Sequence, residues 1–274
     1  MARLTREDVV DIGERLSRYD DDLVQRTGCS LKEIAARSTG KPADEVIDSM
    51  SSRRIAVVPI TAGRGVIGGF VDAVAGIIGY LGADVFCTGE SDTAGIAEGV
   101  ERGADIVFMA DDKQFIALEM AARKVVYNVE STARGYVTAL EAMSGGLNGR
   151  EVLVIGGAGR VGWNALLALA EKGARVSTYD IDMKRMRQLT SKHPEIDVET
   201  DIGEAMDRYG IFFDASPSAD NIEPWHIKPY TLIAAPATPL LLDNRTYDMV
   251  RERLVHDSLE IGVATMLASA SCVN

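Results

Sequence analysis

The sequence predicts an α/β fold: N-terminal helices and a small parallel α/β domain, joined to a second parallel α/β domain. Three observations predict it. Strand-like and helix-like patterns alternate from residue 55 onward, a glycine-rich turn follows the apolar run at 151–155, and the strand after that turn ends in an acid, Asp180. Alternating β and α patterns imply parallel strands joined by right-handed crossovers.

Helical periodicity covers Thr5–Arg26 and Ser30–Thr39, and a polar stretch at Lys41–Arg54 leads into the first strand. Strand 55–60, helix 66–81, strand 83–87, helix 92–102 and strand 105–109 make the small domain. A helix over Ser131–Ser144, stopped by Gly145 and Gly146, joins the two halves. Strand 151–155 opens the second half; a helix from about Met183, strands at Gly210–Ala215 and Thr231–Ala235, and helices near 243–253 and 261–270 close it. The expected domains are 1–146, 147–257, and a C-terminal helix, 258–274, that packs back on the N-terminal domain.

The stretch 151–182 carries the most information. Gly157, Gly159 and Gly162 fit G-x-G-x-x-G: the first allows a tight turn, the second lets backbone approach a pyrophosphate, and the third lets helix pack closely on strand. The helix N-terminus then offers unpaired N–H groups to phosphate. Asp180, 18 residues beyond Gly162 (180 − 162), sits where a carboxylate accepts the adenosine ribose hydroxyls and repels a 2′-phosphate. The second domain is therefore a Rossmann-type dinucleotide-binding domain with NAD as its cofactor. A second glycine set, Gly63, Gly65 and Gly68, follows the strand-like run at 55–60, but after the end of its next strand-like run, at Cys87, the first acid is Glu90, beyond Gly89. That set reads as a structural turn or a substrate loop.

A chain of 274 residues with 46% apolar composition can build two cores. The charged, amphipathic start is not a signal peptide, and the apolar run Gly65–Phe86 contains Asp72 and six glycines, so no membrane span is expected. Cys29, Cys87 and Cys272, odd in number and far apart, suit reduced thiols in the cytoplasm. A net charge of −12 opposes nucleic acid and anionic lipid, and suits a cationic partner or simple solubility. His193, His226 and His256 are scattered without metal-ligand spacing, so no metal is expected.

Chemistry belongs at the carboxyl ends of strands in such sheets. Three segments lie there: Asp111 and Asp112 after the third strand, 214–220 after the fourth strand of the cofactor domain, and 233–239, with Pro217 and Pro236 keeping the last two out of helix. The alternative for the aspartates is an N-cap pair for a helix starting near Lys113.

The segments AVVPITAGRGVIGGF (56–70), IVFMADDKQF (106–115), VLVIGGAGRVG (152–162), TYDID (178–182), FFDASPSAD (212–220) and LEIGVATML (259–267), with MARLTRED at the start, together resemble the pyrrolysine synthase family over nearly the whole chain. The resemblance implies NAD-dependent oxidation of the terminal amine of a 3-methylornithyl-lysine amide, with ammonia loss and closure of a pyrroline ring. It places Leu4, Thr61, Asp111 and Asn128 at substrate-lining positions, with Asp111 the candidate for a catalytic role. Gly157, Gly159, Arg160, Val161, Gly162, Asp180, Ser216, Pro217 and Pro236 match its cofactor-binding segments. Ala62 stands where a serine can occur in this family, which removes a substrate hydrogen bond. The substrate implied is a small cationic amino-acid derivative, for which an acidic pocket is expected. Two rival classes share the cofactor argument: another two-domain dehydrogenase of a small amine or hydroxy compound, and a non-catalytic NAD-binding sensor. The apolar N-terminal and C-terminal helices offer a surface for a homodimer.

Overall fold

The computed structural model describes residues 4–218 and 221–272. Residues 1–3, Ala219, Asp220 and the last two residues, some of which belong to motifs quoted above, lie outside the described residues. The chain forms two compact units. One contains residues 4–25, 29–135 and 259–272; the other contains 26–28 and 136–258.

The N-terminal unit begins with a turn at 6–11 rather than helix, and helix α1 runs Ile12–Thr27. Helix α2 (Leu31–Ser38) starts where Ser30 and Glu33 form a reciprocal capping box. The polar stretch at Lys41–Arg54, given no element above, is largely helix α3 (Ala43–Ser51), because Val46 and Met50, one turn apart, bury on a single face. The sheet has the order β2-β1-β3-β4-β5, with β1 (Arg54–Val58), β2 (Asp84–Cys87) and β3 (Ile106–Ala110) parallel. Helices α4 (Phe70–Tyr80) and α5 (Asp92–Glu101) make the crossovers.

This sheet is mixed, not wholly parallel. β4 (Phe115–Glu119) runs antiparallel to β3, and β5 (Lys124–Tyr127) antiparallel to β4. The helix expected from Lys113 is absent because Asp111 closes a hairpin instead. Its Oδ1 accepts the N–H groups of Lys113 and Gln114, both at 2.7 Å, while its own N–H donates to the Gln114 carbonyl at 2.8 Å. Helix α6 follows at Asn128–Ser144, and the division between the units falls inside it.

The second unit is a six-stranded parallel sheet in the order β11-β10-β9-β6-β7-β8. Its elements are β6 (Glu151–Ile155), α7 (Arg160–Glu171), β7 (Arg175–Tyr179), α8 (Met183–Thr190), β8 (Ile196–Val198), α9 (Ile202–Arg208), β9 (Ile211–Asp214), β10 (Leu232–Ala234), α10 (Asn244–Val250) and β11 (Leu254–Val255). Numbered along the sheet from β8, this is the 3-2-1-4-5-6 order of a doubly wound nucleotide-binding fold. Leu153, Ile155, Phe212 and Ile233 on the strands pack with Met206 and Tyr209 in its core.

Helix α11 (Glu260–Ser271) returns to the N-terminal unit and packs on α2, α3, α4, β4 and β5. Eleven of its residues are buried, which accounts for its apolar character all round. Among the described residues no helix is long and apolar enough to cross a membrane.

Candidate active site

In the second unit the glycines of the turn do different things. A Cβ on Gly157 would overlap Oγ1 of buried Thr178, which donates to the Val154 carbonyl at 3.0 Å. A Cβ on Gly162 would overlap the Gly156 carbonyl oxygen and lie 2.8 Å from its carbon. Both glycines are therefore required by packing. Gly159, the N-cap of α7, is exposed, and a Cβ there meets only the Gly156 oxygen, at 3.1 Å. This leaves the mouth of a twelve-residue helix bare of side chain, a cradle that fits a pyrophosphate.

Asp180 follows β7 and is half-buried. Its Oδ2 accepts the Ala158 N–H at 2.9 Å, and Oδ1 accepts the Asp182 N–H at 2.8 Å. The carboxylate is thus docked against the glycine turn. Ser216 is buried after β9: its N–H donates to Asp214 Oδ1 at 3.0 Å, and its Oγ accepts Asn221 Nδ2 at 2.6 Å. Burial pushes the Asp214 carboxyl up, against the pull of the Ser216 hydrogen bonds. Pro217 is exposed, Pro236 is buried after β10, Val161 packs inward and Arg160 is exposed.

All these loops leave carboxyl ends of parallel strands, and the strand order reverses between β6 and β9. The glycine turn after β6 and Ser216 after β9 flank that switch point, where open α/β sheets bind ligands. Gly156 was not singled out by the motif. At φ +84° it brings the turn so close to the loop after β9 that a Cβ would sit 3.0 Å from Ala215 C and Ser216 N. The only sequence signal was the doubled glycine.

The N-terminal unit has its own switch point, between β1 and β3. Thr61 and Ala62 follow β1, Asp111 and Asp112 follow β3, and Asn128 follows β5, which runs parallel to β3 through two antiparallel pairings. The sheet therefore gathers these residues at one edge. Thr61, Ala62, Asp111 and Asp112 are exposed there, and Asn128 is half-buried, with Nδ2 3.4 Å from Met266 Sδ. Leu4 is half-buried and lies outside any helix or strand.

Asp112 is not a helix cap. Its Oδ2 accepts the Arg64 N–H at 2.7 Å, and Oδ1 lies 3.5 Å from Arg64 Nε. It therefore staples the β1–α4 loop to the β3–β4 turn. That loop has no helix at its third glycine: α4 starts only after Gly69, and a Cβ on Gly68 would meet the Arg6 side chain at 3.7 Å. The hydrogen bonds from Gln114 and Lys113 hold the Asp111 carboxyl below the usual carboxylate range. It is a fixed anion at neutral pH.

One residue here was missed altogether. Asp92, the first residue of α5, accepts the Thr61 N–H at 2.8 Å through Oδ1 and the Thr61 hydroxyl through Oδ2. In the sequence it is indistinguishable from an ordinary acid in a helix's first turn.

A 3-2-1-4-5-6 sheet with a bare helix mouth, an acid docked on the glycine turn and a separate α/β unit defines a dinucleotide-binding protein of two α/β units. Residues 121–264 match the family described as alanine dehydrogenase/PNT, C-terminal domain, and residues 8–126 match the pyrrolysine biosynthesis protein PylD, N-terminal domain. The chain is 31% identical over 271 residues to the pyrrolysine synthase of Methanosarcina barkeri (strain Fusaro / DSM 804), covering 98% of each. It belongs to the pyrrolysine synthase family. Its fold is also that of the shikimate dehydrogenase of Aquifex aeolicus (TM-score 0.53, 12% identity, 79% of this chain and 89% of that one). The quinate dehydrogenase of Corynebacterium glutamicum in complex with NAD is similar to the same degree (TM-score 0.53, 11% identity, 81% and 94%).

Proposed function

We propose that the protein oxidises the terminal amine of a 3-methylornithyl-lysine amide with NAD as acceptor, after which ammonia leaves and the pyrroline ring of pyrrolysine closes. The observation that carries this reading is the Asp111 carboxylate, held charged by two turn N–H groups at the carboxyl edge of a substrate-side sheet, in a chain of this family.

NAD, when bound, takes up the hydride from the amine carbon. Gly159 leaves room for its pyrophosphate at the N-terminus of α7, and Asp180 accepts a ribose hydroxyl and repels a 2′-phosphate, which favours NAD over NADP. The substrate carries three ammonium groups and one carboxylate. A fixed anion held against the reacting ammonium would stabilise the charged amine, which cannot release hydride. Asp111 therefore anchors one of the other ammonium groups and orients the chain; its lowered pKa makes it a poor proton acceptor near neutral pH. Thr61 and Asn128 supply further polar contacts, Ala62 supplies none, and Leu4 supplies apolar cover.

Loss of two hydrogens turns the amine into an imine. The substrate's own α-amine adds to that carbon, and ammonia leaves. Nitrogen, Cα and three further carbons make a five-membered ring, a closure that proximity favours strongly. Purified protein given NAD and the amide is expected to yield NADH, ammonia and a product lighter by ammonia and two hydrogens. NADH formed without ammonia would point to another dehydrogenase reaction, and tight NAD binding with no turnover to a sensor.

A further inference from the structure

Among the described residues, Asp92 and Arg123 are the non-glycine residues in the left-handed region, Asp92 at φ +54°. Such a backbone is uncommon outside glycine, and Asp and Asn tolerate it best. The strain is held by four contacts: the Asp92 N–H donates to the Pro59 carbonyl at 2.9 Å, its two carboxylate oxygens take both donors of Thr61, and Oδ2 also accepts the Ser91 hydroxyl at 3.4 Å.

A threonine hydroxyl has one proton and two lone pairs. Asp92 is ionised, its pKa lowered further by the Thr61 hydrogen bonds, so it can only accept. The single Thr61 proton is therefore committed, as is the Thr61 N–H. What exposed Thr61 still offers is lone pairs beside a negative charge. An ammonium or other N–H donor is favoured there. A carboxylate, carbonyl or phosphate oxygen is repelled.

We propose that Asp92 is a positioning residue that fixes Thr61 as a pure hydrogen-bond acceptor and so selects an ammonium-bearing substrate over an anionic or carbonyl-bearing one. The inference rests on the functional reading above in taking Thr61 to face the substrate.

The test measures calorimetric affinity for the 3-methylornithyl-lysine amide, KM and kcat with NAD, and Tm, for wild type, Asp92→Asn, Asp92→Gly, Thr61→Val and the double variant Asp92→Asn/Thr61→Val. Asn and Gly both suit the left-handed backbone, so the fold is kept. Asn can still accept the Thr61 N–H and clamp the loop, but its Nδ2 donates where the carboxylate accepted and turns the Thr61 proton outward. Asp92→Asn should then weaken binding and raise KM about tenfold, as much as Asp92→Gly, the scale of one charge-assisted hydrogen bond. NAD affinity should be unchanged and kcat held within about threefold. The double variant should bind no worse than Thr61→Val, because the two residues act through one interaction. A silent Asp92→Asn with a damaged Asp92→Gly would reduce Asp92 to a loop clamp. Additive losses would mean it acts on the substrate independently of Thr61. Either result overturns the proposal. Wild-type turnover decides the function, while the variant-to-wild-type affinity ratio decides the role of Asp92. No binding of the amide by wild type overturns both.

Discussion

Asp180 Oδ2 and the backbone nitrogen of Ala158 are 2.9 Å apart, joining the acid at the end of β7 to the middle of the glycine turn after β6. The bond fixes where the carboxylate points and uses one N–H of the turn, leaving the carboxylate lone pairs for the ribose hydroxyl proposed above.

Removing this carboxylate tests the cofactor choice. Asp180→Ala is expected to weaken NAD binding and to lessen discrimination against NADP, since the repulsion of the 2′-phosphate goes with the charge. Fluorescence titration of both nucleotides checks it; a wild type that binds NADP as tightly as NAD would remove the ribose assignment.

The glycines of the turn should separate by phenotype. Gly159→Val puts a branched side chain into the open cradle and should abolish NAD binding with Tm preserved. Gly162→Ala drives a methyl into Gly156 backbone and should lower Tm as well. Gly65→Val, in the other glycine loop, adds a Cβ that meets no atom within 4 Å but sits at φ +79°, so it should cost local stability and spare NAD. Loss of NAD binding in Gly65→Val with retention in Gly159→Val would transfer the cofactor to the N-terminal unit.

The neighbouring aspartates should differ in the same way. Asp111→Asn keeps the acceptor that closes the β3–β4 turn but removes the charge, so turnover should fall at least about tenfold, about 1.4 kcal/mol in the barrier. Asp112→Asn keeps the Arg64 N–H bond and loses an exposed ion pair, a change of about 0–1 kcal/mol in stability. Steady-state NADH formation and thermal melts read the two effects; unchanged turnover in Asp111→Asn would take Asp111 out of the mechanism.

His226 gives a stability prediction with a definite sign. It is buried, its Nδ1 accepts the Glu223 N–H at 3.1 Å, and burial lowers its pKa from 6.5. The unfolded chain therefore binds more protons between the folded pKa and about 6.5, and stability falls as pH drops through that window. Melts from pH 7.5 downward should show the loss for wild type, and His226→Gln, which keeps an acceptor but cannot titrate, should show a shallower one. Parallel curves would mean that other groups set the slope.

The second unit was legible because its signals are local: strand, glycine turn, helix and acid lie within 32 residues (151–182), and Gly157 and Gly162 each have one packing reason. The β4–β5 pair was not. Phe115–Glu119 and Lys124–Tyr127 are short apolar runs that periodicity does not assign, and Asp111–Asp112 before Lys113 reads equally well as a helix cap and as a turn. Helix α3 was overlooked because Val46 and Met50 are its only buried positions among many charges. Asp92 lay beyond sequence reasoning: its partner Thr61 is 31 residues away and the bond depends on β1 and β2 lying side by side.

Helix α11 carries a consequence for how the protein is made. The N-terminal unit leaves one place in its packing for a segment synthesised after the entire nucleotide-binding unit. On the ribosome the usual order of completion is therefore reversed: the middle of the chain can fold while α2, α3, α4, β4 and β5 still expose the surface that α11 will cover. The N-terminal unit is the last to become stable, since its packing is complete only when the chain has reached Ser271.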